Sequence, residues 1–120
     1  MKTIAIKRIY DDAADDDGYR ILVDRLWPRG IAKIKADLDE WNKEIAPSTE
    51  LRKWFDHDAA RFKEFSKLYC KKLKQKENEL NRIRAIAKTE IVTLLYGAKD
   101  KKINHAVVLR NVLIKKGNEN

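Results

Sequence analysis

Cationic side chains recur just past the apolar segments of this chain, where they could gather into a site for an anion. Lys7 and Arg8 follow Ile4 and Ile6; Asp24, Arg25 and Arg29 follow Ile21, Leu22 and Val23; Tyr96, Lys99, Asp100 and His105 follow the run from Ile91 to Leu95. Ser48 and Arg52 follow a shorter segment that ends at Ile45. A guanidinium presents a planar fork of N–H donors that matches a carboxylate or phosphate edge, and an ammonium presents a compact charge. Ser48 and Asn104 also stand where helices are predicted to start, and the free N–H groups and dipole of a helix start favour an anion. Arg25, Arg29, Ser48, Arg52, Tyr96, Lys99 and His105 are therefore the candidate ligand-binding residues, and no catalytic residue is assigned.

Each has a plainer reading. Asp24 beside Arg25 could form an ion pair that pins a loop, and Arg29 after Pro28 could hold a carbonyl instead of a ligand. His57 and His105 have no neighbouring cysteines, so zinc is not expected. His57, between Asp56 and Asp58, reads as a capping or packing residue with proton transfer left open. Cys70 lies within a predicted helix, flanking its apolar stripe, as a structural thiol would. No glycine-rich phosphate loop, serine elbow or kinase signature is present, and no cofactor is implied. Lys67, Lys71, Lys72, Lys74 and Lys76 form either a solvated helix face or a surface that tracks nucleic-acid phosphates. Trp27, Trp41 and Trp54 read as core or lid residues, with Trp27 and Trp54 alternatively facing a protein partner.

These residues must be positioned by a framework that the apolar pattern outlines. Thr3 to Ile9, and Tyr19 to Leu26 with the core Ile21, Leu22 and Val23, read as strands, separated by an acidic loop from Asp11 to Gly18. Trp27-Pro28-Arg29-Gly30 ends the second strand, because proline removes a ladder donor and glycine permits a sharp turn. Residues 31–36 suit a short helical turn, and Trp41, Lys43 and Ile45 alternate with polar residues as a half-exposed strand would. Ser48 is a good cap for a helix through Leu51, Trp54 and Phe55. From Asp58 to Lys88 there is neither proline nor glycine, and Phe62, Phe65, Tyr69, Leu73, Leu80, Ile83 and Ala87 share one helical stripe. That stretch is one long helix or two with a break near Lys76. Glu90 to Tyr96, with the run Ile91 to Leu95, reads as the central strand, and a last helix begins near Ile103 or Asn104, frays at Gly117 and leaves a short disordered tail over residues 117–120.

The order of elements implies an α/β fold: a small, mostly parallel sheet of about four strands with helices packed on it, in a single domain over residues 1–120. The loop between the first two strands is short for a helical crossover, so that pair is antiparallel or joined by a bare extended return. In such sheets ligands bind beyond the carboxyl ends of the strands, where the candidate residues fall.

With 120 residues and a formal net charge of +8, the chain can bury a core and favours anionic partners. Phosphorylated metabolites, nucleic acid and acidic protein surfaces all qualify. One cysteine excludes an internal disulfide, and the absence of an apolar signal core or spanning run points to the cytoplasm and away from membranes.

The string from Asp17 to Gly30, DGYRILVDRLWPRG, resembles the YeaO-like family of small prokaryotic proteins of unknown function. The likeness continues through Glu44-Ile45-Ala46-Pro47-Ser48, Leu51-Arg52-Lys53-Trp54-Phe55, His57-Asp58, residues 92–100 and residues 104–109, and so covers nearly the whole chain. Longer relatives in the broader group have a helix between the first two strands and cysteines near the last strand. Tyr96 and the Asn104-His105 pair stand there in this chain, which removes support for a thiol mechanism. Some members carry a MarR-type regulator label, which implies a winged-helix dimer that this strand-rich pattern does not resemble.

Overall fold

The computed structural model describes residues 3–118, with side chains through residue 115. Strands β1 (Ile4–Arg8), β2 (Tyr19–Leu22), β3 (Glu40–Trp41) and β4 (Val92–Tyr96) form one sheet in the order β1-β4-β2-β3. Every neighbouring pair is parallel. β4 lies between β1 and β2, and all of its residues are buried, the environment that a continuous β-branched and aliphatic run requires. Ile4 and Tyr19 both stand opposite Val92, so β1 and β2 flank β4 in matching register. The return from β1 to β2 is thus extended, interrupted by one 3-10 turn at Asp15–Asp17, and the antiparallel alternative does not occur.

Helices α1 (Lys33–Ala36), α2 (Thr49–Phe55), α3 (Phe62–Leu73), α4 (Glu77–Ile86) and α5 (His105–Asn118) complete the fold. Alternation along the strands divides the core. Ile21, Val23, Val92 and Leu94 share one cluster with Phe65, Tyr69, Leu73 and Ile83 of the helical layer. Leu22 and Leu95 belong to a smaller cluster with Ile9 and Ala36, against which Trp27, Leu38 and Trp41 pack. The long apolar stripe breaks into α3 and α4 at a 3-10 segment, Lys74–Lys76, which keeps Leu73 and Leu80 both buried.

Two expectations fail locally. The predicted alternation Trp41, Lys43, Ile45 is not a strand beyond Trp41, because the buried Asn42 accepts the Ile45 N–H at 3.1 Å through its carboxamide and turns the chain. At the other end, α5 continues through Gly117 to Asn118, so residues 117 and 118 are helical; the rest of the expected tail, residues 119–120, lies outside the described residues.

Charge also enters the interior of the sheet. Arg20 of β2 is 3% exposed and Asp17 is 8% exposed, and the two are paired. Lys7 donates to both Asp17 carboxylate oxygens at 3.1 Å, while Arg20 also donates to the carbonyls of Ala36 and Asp37. Thr93 of β4 donates to the Asp17 carbonyl at 2.6 Å. The last aspartate of the acidic loop is therefore a clamp joining β1, β2, β4 and α1. Gly18 turns the chain immediately after it at φ +68, where a Cβ would meet the Ile91 carbonyl oxygen at 2.1 Å.

Burial alone would raise the Asp17 pKa, but the Ala14 N–H, Lys7 and Arg20 together outweigh it and hold the carboxyl below its ordinary 3.8. A carboxyl depressed on folding contributes stability above its unfolded pKa and loses that contribution as pH falls through its folded value. Thermal midpoints followed by circular dichroism should stay level from about pH 7 to 5 and decline below about pH 4. Asp17→Asn should lower the neutral-pH midpoint and flatten part of that decline; an unchanged acid limb would contradict the assignment.

Candidate functional site

Because all the strands run the same way, the exits of β2 and β4 emerge at one edge of the sheet, and a cleft of about 480 Å³ opens there. Its walls come from the segment after β2, the end of α2 with the turn that follows, and the segment from β4 to α5.

Asp24 organises this edge. Its backbone carbonyl accepts the Trp41 indole N–H at 2.8 Å, and its Oδ2 accepts the Gly97 N–H at 2.8 Å. A Cβ at residue 97 would lie 3.0 Å from the same Oδ2, so glycine lets the two strand exits approach. His105 Nε2 lies 2.9 Å from Asp24 Oδ1 and 3.0 Å from the Val23 carbonyl oxygen. With two oxygen acceptors before it, Nε2 carries a hydrogen, and Nδ1 is left as the basic nitrogen of the neutral ring. The Val23 carbonyl takes that hydrogen, which leaves the buried Asp24 Oδ1 in contact with the ring but without a hydrogen bond.

Arg25 ties the loop before α2 to this hub through Nε to the Pro47 carbonyl at 3.0 Å and Nη2 to that of Ala46 at 3.4 Å. Tyr69, fully buried beneath, donates to the Ile45 carbonyl at 2.6 Å, and burial drives its phenol pKa far upward. Arg29 and Arg52 differ from Arg25. Both are exposed, both line the cleft, and neither guanidinium has a hydrogen bond or ion pair among the described residues. The Arg29 backbone is nonetheless anchored, since the Tyr10 hydroxyl donates to its carbonyl at 2.9 Å. The apolar wall includes Leu26, Trp27, Phe55 and Phe65, with the two phenylalanine rings stacked at 4.3 Å.

The cleft therefore combines Arg25, Arg29, Arg52 and His105 of the seven sequence candidates. The other three lie elsewhere. Ser48 caps α2 by accepting the Leu51 N–H at 3.1 Å and lines a different groove. Tyr96 is 2% exposed, packed in the sheet interior with its pKa raised by burial. Lys99 is exposed and does not line the cleft. Lys7 is taken by Asp17, and Arg8 donates to the Ala98 carbonyl at 2.8 Å. The alternative of an Asp24–Arg25 pair does not occur: Asp24 contacts His105, and Arg25 turns to carbonyls.

His57 lines the cleft with its ring 6.1 Å from that of Phe55, the packing half of its reading, while Asp58 supplies the cap, accepting the Ala60 N–H at 2.9 Å. Asp56 and His57 adopt φ values of 48° and 55° in succession, turning the chain after α2. Asp and His tolerate that left-handed region better than most residues, which is the signal the local sequence offered. Trp27 serves as a wall, with its indole N–H donated to the Ile31 carbonyl at 2.7 Å. Trp54 is not in the core: it is 41% exposed.

Fold and cleft define a small parallel α/β protein with a cationic ligand-sized cleft at the carboxyl edge of its sheet. Over residues 3–120 the chain matches, and belongs to, the family described as the inactive DUF488-N3 subclade. It is similar to the uncharacterised protein YeaO of Escherichia coli K12, with 54% identity over 110 residues that cover 92% of this chain and 96% of that protein. The uncharacterised protein Rv3073c of Mycobacterium tuberculosis H37Rv is 37% identical over 110 residues, 92% of each chain. No solved structure gives a significant match. Among the described residues, no helix is long and apolar enough to cross a membrane.

The division of labour among these charges is measurable by urea denaturation. Asp24→Ala should destabilise the fold by about 1–3 kcal/mol, since it strands the Gly97 N–H and removes the carboxylate packed against the His105 ring. Arg29→Ala and Arg52→Ala should each change stability by less than about 0.5 kcal/mol. Equal losses in all three would mean that the arginines are structural pins.

Proposed function

We propose that this protein binds a phosphorylated or otherwise anionic small molecule, a nucleotide among the candidates, in the cleft at the carboxyl edge of its sheet. The observation that carries this reading is the pair of guanidiniums, Arg29 and Arg52, that line one cleft with no protein partner among the described residues. A guanidinium left free beside an apolar wall is ready to form charge-assisted, bidentate bonds with an oxyanion. Arg25 adds positive charge but has donors committed to the Ala46 and Pro47 carbonyls. The wall formed by Trp27 and Phe55 suits the less polar body of the same ligand.

Binding is the role proposed. The cleft lining has no serine, threonine or cysteine among the described residues, and of the other side chains there that can act as nucleophiles, Tyr10, Asp24 and His105 are engaged with the Arg29 carbonyl, the Gly97 N–H and the Val23 carbonyl. The family's description as an inactive subclade agrees with that composition.

Calorimetric titration with inorganic phosphate, ribose 5-phosphate and adenosine monophosphate tests the proposal. At least one phosphorylated compound should bind, and Arg29→Ala or Arg52→Ala should each weaken it by about tenfold or more, the scale of a charged hydrogen bond. Arg29→Lys should recover only part of the loss, because an ammonium lacks the planar fork. Equal binding by wild type and both alanine variants, or no binding at millimolar concentrations, would refute the reading.

A further inference from the structure

A second depression, about 820 Å³, lies between α3 and the segment comprising residues 44–51 and Trp54. Its apolar lining includes Leu51, Trp54 and Leu68, and of these Trp54 is 41% and Leu68 39% exposed. Two large apolar side chains this accessible on facing elements form a patch that water covers poorly. Around it stand Lys71 and Lys72, which have no ion-pair partner among the described residues, and Lys76, which reaches Glu44 at 3.5 Å. Glu44 and Glu50 are the only acidic side chains in the lining. Lys53 and Lys67, next in sequence to Trp54 and Leu68, are exposed.

We infer that this groove is a docking surface for an acidic amphipathic helix of a protein partner. The occupant presents an apolar stripe at positions i, i+3 or i+4, and i+7 to Leu51, Trp54 and Leu68, with Asp or Glu on the flank facing Lys71 and Lys72. Charge complementarity sets the sign of the partner, and the apolar floor sets its class. A nucleic-acid backbone would use the lysines but leave the aliphatic floor unsatisfied. Base stacking would need an open aromatic face, whereas Arg61 already sits over the Trp54 ring at 5.6 Å, anchored by donation to the Trp54 carbonyl at 2.7 Å. The lysines of α3 thus act as a rim around an apolar seat, a role separate from the anion cleft.

The test uses the full chain and fluorescein-labelled 18-residue peptides: a helical peptide with one leucine-rich stripe and glutamates on the other face, the same peptide with lysines for glutamates, and a scrambled acidic version. A labelled single-stranded oligothymidylate serves as the nucleic-acid probe. By fluorescence anisotropy, the acidic helix should bind at least tenfold more tightly than the scrambled or lysine peptide, with affinity falling as salt rises. Lys71→Glu with Lys72→Glu should weaken it at least tenfold and improve binding of the lysine peptide. Leu68→Glu should also abolish binding of the acidic helix, while Arg29→Ala leaves it unchanged. The exposed lysine substitutions keep the test valid should Leu68→Glu fold poorly. Equal binding of the scrambled peptide, no binding of the acidic helix, or tighter binding of the oligonucleotide with loss in the lysine variant would overturn the inference, the last in favour of a nucleic-acid surface.

Discussion

Asp24 is the constraint on which the carboxyl edge of this molecule depends. One residue fixes β3 through its carbonyl, the exit of β4 through Gly97, and the start of α5 through His105. Arg25 beside it then holds the loop that leads into α2. Parallel strands bring their ends to the same edge, but they do not by themselves fix the distances between the loops that follow. Here those distances are set by one part-buried aspartate, whose backbone carbonyl accepts the Trp41 indole N–H, whose Oδ2 accepts the Gly97 N–H and whose Oδ1 touches the His105 ring. The cleft is the space enclosed by these connections.

A second clamp works at the opposite side of the same strands. Asp17, Lys7, Arg20 and Thr93 tie the acidic loop across β1, β2 and β4, and the carbonyls of Ala36 and Asp37 complete the shell around Arg20. Partly satisfied buried charge is costly, so this network tolerates the loss of one member badly. The abundant basic residues therefore fall into separate groups. Lys7, Arg8, Arg20, Arg25 and Arg84 are occupied by protein oxygens. Arg29 and Arg52 in the cleft, and Lys71 and Lys72 in the groove, are left over. Net charge cannot make this distinction, because an arginine bound to a carbonyl counts the same as one facing water.

The elements that depend on apolar pattern were readable from the chain. The run from Val92 to Leu95 had to be central, and the stripe through Phe65, Tyr69, Leu73, Leu80 and Ile83 had to face it. The fate of polar side chains was harder to read, because their partners are distant in sequence. Nothing in the local pattern marks Arg20, and Asp17 is one more acid of the loop from Asp11 to Gly18; their pairing depends on the fold, which brings Lys7 and Thr93 against Asp17. Tyr96 stands at the strand end as read, but its side chain is buried like the rest of β4, which a pattern of nearly continuous apolar residues does not reveal. Ser48 was read correctly as a cap, and that role satisfies its hydroxyl away from the cleft. Asn42 shows the same limit on a smaller scale: its carboxamide ended a strand that alternation alone would have extended.

The most direct measurement is a heteronuclear NMR titration of the protein with inorganic phosphate, observing backbone amides and the arginine Nε–H signals together. If the cleft is an anion site, the Arg29 and Arg52 side-chain signals should shift in a saturable way, accompanied by the amides of Gly97 and residues 26–30. The signals of Arg20 and Arg84, already bound within the fold, should stay in place. Shifts that do not saturate, or that centre on Lys71 and Lys72 while Arg29 and Arg52 remain unmoved, would contradict the account.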